Sequence, residues 1–166
     1  KWLENINDWN LSRSRFWGTP LPIWATEDRS ELKCIGSIEE LISEIEKSVK
    51  AGVMTENPYK NFVVGDMSKE NYSTENIDLH RPYVDNIVLV SSKGEPMRRE
   101  PDLIDVWFDS GAMPYAQVHY PFENKEGFDQ IYPADFIAEG VDQTRGWFYT
   151  LHAIATMLFD SVAFKN

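Results

Sequence analysis

The residues best suited to chemistry lie in "DFIAEGVDQTRGWF", residues 135–148. Two acids, Glu139 and Asp142, share a short stretch with Gly140 and the amide Gln143, and Trp147 follows. Carboxylates and an amide bind hydroxyl and ammonium groups, a glycine admits a ligand close to the backbone, and an indole offers a flat apolar wall. An apolar strand ending in such residues is the pattern of a buried parallel strand with a ligand crevice beyond its carboxyl end. A helix opening at about Asp142 would place that residue at or near the N-cap and turn Gln143 and Trp147 toward one pocket. Equally, Asp142 would be only a cap and Trp147 only core.

"DVWFDSG" (105–111) repeats this grammar. Read as a strand, it carries Asp105, Trp107 and Asp109 on one side and Val106 and Phe108 on the other. Two carboxylates flanking an indole fit acid–base work on a sugar, or a ring in a pocket with a polar rim. Ser110 would need His119 or His152 as a base, and neither stands in a nucleophile elbow. His80, in "DLHRPYVD", reads as a hydrogen-bonded structural histidine. Arg13 and Arg15, in "SRSRFWG", are the place for a phosphate contact in an otherwise acidic chain, or else ordinary surface arginines. The basic doublet of "MRRE" reads as surface.

The elements that must position these groups follow from periodicity and punctuation. Trp2, Leu3, Ile6 and Trp9 have helical spacing, and Gly18, Pro20 and Pro22 then impose an extended strap. "LKCIG" reads as a strand. Ser37 and Glu40 form a capping box for a helix with Ile38, Leu41, Ile42, Ile45 and Val49 on one face, and Gly52 stops it. Residues 54–76 are polar and read as a poorly ordered surface excursion. "NIVLV" and "EPMRRE" flank "SSKG" as an antiparallel hairpin. A strand over "ADFIAEG" precedes a helix from about Asp142 to Phe159, with Trp147, Leu151, Ile154 and Leu158 along one face.

The chain as a whole narrows the possibilities. Its 166 residues, 42% hydrophobic, suffice for one domain with a modest insertion. Acids outnumber bases 27 to 16, for a net charge of -11, so contact with nucleic acid must be local or shared. No apolar run approaches the roughly 20 residues that span a bilayer, and the start is unlike a signal peptide, so a cytoplasmic setting without membrane contact is expected. A single cysteine, Cys34, excludes an internal disulfide and leaves too few thiolates for a cysteine-based zinc site. Aromatic residues make up 13% of the chain, which suits pockets for sugars, nucleosides or hydrophobic side chains.

"DWNLSRSRFWGTPLPIW", "DLHRPYVD", "DVWFDSGAMPYAQ" and "YPADFIAEGVDQTRGWFYTLH" occur in series, and together they resemble the class I isoleucyl-tRNA synthetases. Valyl and leucyl enzymes carry similar blocks, but "RFWGTPLPIW" and "EGVDQTRGWF" look like the isoleucine enzyme. The resemblance implies an enzyme that uses ATP, with Mg2+, to activate L-isoleucine as isoleucyl-adenylate and transfers it to tRNA(Ile). It implies that Glu139, Gly140, Asp142 and Gln143 contact the adenylate, chiefly around the ribose and the ammonium. It further implies that Trp107 and Trp147 line the isoleucine pocket. One missing methylene is worth little in such a pocket, a limit for which isoleucyl enzymes are a known illustration, and the family edits valine away elsewhere.

The fold implied is α/β: the second half of a Rossmann-like class I synthetase catalytic domain with a small α+β insertion. Residues 1–24 and 101–166 belong to the catalytic domain and 25–100 to the insertion. The family's HxGH and KMSKS motifs are missing, so the chain is expected to begin after the editing insertion, to stop short of the strand before the lysine loop, and to be inactive alone as a monomer. Where many bacterial members carry two cysteine pairs for zinc, this sequence reads "ATEDRSELKC" and "VSSKGEPMRRE", so a hairpin frame without zinc, held by packing, is expected. The rival from another class is a carbohydrate-active or sugar-binding domain built on Asp105, Asp109 and the tryptophans. A third reading is a scaffold with no measurable affinity.

Overall fold

The computed structural model describes residue 4 and residues 8–166. The expected helix through Trp2, Leu3 and Ile6 lies outside the described residues. Two compact units emerge: Ser12–Ile104 forms one, and the chain up to Leu11 with Asp105–Asn166 forms the other. Residues 12–24 and 101–104 pack in the same unit as 25–100.

In the unit Ser12–Ile104, β1 (Ser12–Arg13) pairs antiparallel with β6 (Leu103–Ile104). Four further strands, β2 (Ile23–Ala25), β3 (Leu32–Cys34), β4 (Val88–Val90) and β5 (Pro96–Arg99), form an antiparallel sheet in the order β3-β2-β5-β4. The expected β4–β5 hairpin is present, in the register Leu89 opposite Met97. Helix α1 (Ile38–Lys50) starts where the capping box predicts: Ser37 Oγ accepts the Glu40 N–H, while the Glu40 carboxylate reaches back to the Gly36 N–H. It stops at Ala51, followed by Gly52 at φ +73°. Ile45, Trp24, Ile87, Leu89 and Met97 form the core, each fully burying a side chain worth about 1.5–3 kcal/mol. The Trp24 indole donates to the Ile87 carbonyl at 3.0 Å, so the ring's polar atom is satisfied there.

Three expectations for this unit need correction. Residues 54–76 are not a loose excursion, because Tyr59 and Phe62 enter the core and buried Asn71 bridges the backbone of Val63 and Asp66. Arg99 of "MRRE" is buried rather than surface. It donates through Nε and Nη2 to Asp85 and through Nη1 to the Asp102 and Leu21 carbonyls, which satisfies a guanidinium otherwise costly to bury. The hairpin tips are joined by polar bonds as well as packing: Glu31 accepts from the Ser92 N–H at 2.9 Å and from its hydroxyl at 2.6 Å.

The other unit contains α2 (Val106–Gly111), α3 (Met113–Ala116), α4 (Phe128–Ile131) and α5 (Trp147–Phe159). Tyr115, Phe128 and Ile154 form one core cluster, and Leu151, Ala155 and Ala163 another. "DVWFDSG" is helix from Val106 onward, not strand, because Asp105 caps it by accepting the Trp107 N–H at 3.3 Å. "ADFIAEG" forms no regular strand. Ala134 instead makes a single parallel bridge to Phe164: the Ala134 N–H donates to the Ala163 carbonyl and the Lys165 N–H to the Ala134 carbonyl, while the Ile137 N–H donates to the Asn166 carbonyl. The long helix is broken into a 3₁₀ turn, Val141–Arg145, and α5, with Gly146 between them. Leu158, expected on the buried face of α5, is 64% exposed. No helix among the described residues is long and apolar enough to cross a membrane.

Candidate functional site

The break at Gly146 gives the candidate site its shape. A side-chain oxygen at Gln143 takes up a backbone donor that a continuous helix would have used internally: Trp147 N–H donates to Gln143 Oε1 at 3.0 Å. Gln143 and Trp147 therefore touch through a cap-like bond rather than sharing a helical face. A Cβ on Gly146 would lie 2.9 Å from Gln143 Oε1, so a side chain at the break would have to displace that acceptor. Gln143 Nε2 donates to Asp142 at 3.3 Å, which ties the acid to the amide.

Asp142 does not cap the turn, contrary to expectation; Gly140 holds the N-cap position, and Asp142 is exposed within the turn. Gly140 has φ −65°, a conformation open to any residue. A Cβ there would overlap the Asp142 carboxylate Oδ1. Glu139 is exposed beside it. The result is a solvent-facing acidic rim, with Asp142 oriented by its neighbours.

The two tryptophans reach this rim from different helices. Trp147 Nε1 donates to the Ser110 carbonyl at 3.0 Å, which pins the indole to the end of α2. Trp107, on α2, is 45% exposed, and its Cη2 lies 3.8 Å from the position a Cβ on Gly146 would occupy. The alternation reading of Asp105, Trp107 and Asp109 fails here. Asp105 is 3% exposed, and its carboxylate accepts the Trp9 indole N–H at 2.9 Å and the Trp107 N–H, while Asp109 is exposed on the helix. The pair cannot act as two carboxylates facing one sugar, since Asp105 is occupied in holding the fold. Asp105 as a buried hub was missed; the signal available was an Asp immediately before a short apolar run.

The remaining candidates resolve plainly. Ser110 bonds to the Trp107 carbonyl, His119 pairs with Glu123, and His152 Nδ1 accepts the Ala163 N–H, so no serine–histidine pair forms among them. Burial holds the His152 pKa below its ordinary 6.5. His80 bonds Asp78 and stacks on Trp17 at 4.8 Å, the structural role expected of it. Arg13 and Arg15 belong to the other unit: Arg13 donates to the Ser12 carbonyl, and the Arg15 carbonyl accepts from Arg81. Among the described residues no three His, Cys, Asp or Glu side chains gather as a metal site, and Cys34 is exposed. A cleft of about 330 Å³, lined by residues between Met54 and Ile87, contains none of the candidate residues.

Comparison with known proteins adds an independent line. Residues 1–166 match the family model of class I tRNA synthetases (I, L, M and V). The chain is 75% identical to the isoleucine--tRNA ligase of Bacteroides fragilis over 99% of its own length, 69% identical to that of Porphyromonas gingivalis over 99%, and 48% identical to that of Thermus thermophilus over 100%. It spans 15%, 14% and 14% of those relatives. Nothing in these matches supports the carbohydrate reading. The chain belongs to the class I tRNA synthetase family, as its four motifs implied.

Proposed function

We propose that the chain is the part of an isoleucine--tRNA ligase that holds the aminoacyl-adenylate. Glu139 and Asp142 pair with the ammonium and the ribose hydroxyls, Gly140 leaves room for the Asp142 carboxylate, and Gln143 orients it. Trp107 and Trp147 wall the isoleucine side chain. The observation that carries this reading is one hydrogen-bonded path, from Asp142 through Gln143 and Trp147 to Ser110, which joins an exposed acidic rim to an indole. Charged groups at that rim match the ligand's polar end, and flat apolar surface matches its alkyl end.

The full-length protein, in this account, activates L-isoleucine with ATP and transfers it to tRNA(Ile) in the cytoplasm, as a monomer. Mg2+ enters with the ATP phosphates, and no zinc is assigned to this chain, whose single cysteine leaves too few thiolates for a cysteine-based site. Arg13 and Arg15 are assigned to a phosphate of ATP or tRNA. Residues 134–137, α5 and 163–166 are read as a β-α-β piece of a Rossmann-like domain, supported by their parallel hydrogen bonds, with residues 25–100 as an α+β insertion.

Isoleucine-dependent pyrophosphate exchange tests this function. The full-length protein should exchange with isoleucine, and the chain alone should not, since neither the HxGH nor the KMSKS motif of the family, which act on ATP during adenylate formation, occurs in it. Exchange by the repurified chain, in proportion to its concentration, would contradict the second half. Failure of the full-length protein with isoleucine would contradict the first.

A further inference from the structure

We propose that Gly111 is a positioning residue: its close contact with α5 sets the width of the alkyl pocket between Trp107 and Trp147, and so sets discrimination between side chains differing by one methylene. This deepens, and rests on, the pocket reading above.

Gly111 is buried at the end of α2. A Cβ built there would stand 2.9 Å from Ile154 Cδ1, 3.1 Å from the Thr150 carbonyl carbon and 3.1 Å from Thr150 Cβ. The first neighbour is a side-chain tip. The second is α5 backbone, which yields only if the helix itself moves. Thr150 and Ile154 are 4% and 3% exposed, so neither has open space to retreat into. Gly111 does not take a positive φ, so the close approach and not the conformation calls for glycine.

Both pocket walls are referenced to this contact. Trp107 precedes Gly111 by one helical turn on α2, and Trp147 precedes Thr150 by one turn on α5. Ser110, next to Gly111, accepts the Trp147 indole N–H. Separating α2 from α5 at Gly111 therefore moves Trp107 relative to Trp147. A wall displaced by about half an ångström forfeits roughly a quarter of each dispersion contact with a bound alkyl group. Isoleucine, filling the pocket, loses more than valine.

The test uses the full-length protein as wild type, Gly111→Ala, Gly111→Ala with Ile154→Val, and Ile154→Val alone, each checked for folding by circular dichroism. Isoleucine- and valine-dependent pyrophosphate exchange are measured with the KM for ATP. Gly111→Ala should raise the isoleucine KM, leave the ATP KM unchanged, and lower the isoleucine-to-valine ratio of kcat/KM about threefold to tenfold. Removing Ile154 Cδ1 in the double variant should restore part of the ratio. Ile154→Val alone, a mild change that folds if Gly111→Ala does not, should shift the ratio about twofold. A glycine that is merely structural would lower exchange with both amino acids in proportion; an unchanged ratio in the folded variants overturns the inference. A wild type without isoleucine-dependent exchange overturns the pocket reading itself, which separates the two failures.

Discussion

Gln143 and Trp147 are joined by a side-chain-to-backbone bond, Trp147 N–H to Gln143 Oε1 at 3.0 Å, and that bond satisfies a donor at the start of α5 that has no partner within the helix. One amide thereby caps the helix that carries Trp147 and holds the neighbouring Asp142. Gln143→Ala should release the Trp147 N–H and cost about 1 kcal/mol. Hydrogen exchange at the amides of 147–150 should speed up accordingly. Gln143→Glu keeps the acceptor and should restore the protection; equal loss in both variants would show that the cap does not hold α5.

Asp105 is the buried counterpart of that exposed acid. Its two oxygens accept from the Trp9 indole and the Trp107 backbone, with 3% of its surface exposed. Asp105→Asn leaves one acceptor and turns an amide donor against a second donor, which should cost about 2–3 kcal/mol. Chemical denaturation followed by tryptophan fluorescence should show the midpoint falling. A midpoint unmoved by the substitution would mean that the carboxylate does not hold Trp9 and α2 together.

His152 couples α5 to the segment that runs beside residues 134–137, by accepting the Ala163 N–H at 3.1 Å. Burial favours the neutral ring, so the folded pKa lies below the ordinary 6.5 and the unfolded chain takes up a proton first. The stabilisation from neutral His152 is therefore complete above about pH 6.5 and declines as pH falls toward the folded pKa. An NMR titration should place the His152 ring below 6.5, with the Ala163 amide exchanging faster as the ring protonates. A ring titrating above 6.5 would reverse the sign of this dependence.

Much of the unit Ser12–Ile104 was legible because its signals are local. Ser37 and Glu40 announce α1, Gly52 ends it, and "SSKG" sets the hairpin. The candidate site was legible in its residues but not in its secondary structure. Val106, Trp107 and Phe108 carry strand propensity, yet Asp105 closes an N-cap and packing of α2 on α5 decides for helix. Gly146 breaks a periodicity that otherwise runs unbroken from Asp142, because a side-chain cap at Gln143 competes with the helical ladder. Arg99 read as surface since composition does not reveal a partner as distant in sequence as Asp85; its position two residues after buried Met97, on the same strand face, was the available clue.

The most direct test of the adenylate site is 19F NMR of the full-length protein labelled with fluorotryptophan, titrated with a non-hydrolysable isoleucyl-adenylate analogue. The account predicts that the Trp107 and Trp147 resonances, assigned by substitution, shift with the ligand. Trp24, whose indole is buried and bonded to the Ile87 carbonyl in the other unit, should stay in place. Saturable binding of the analogue with Trp107 and Trp147 unmoved would contradict it.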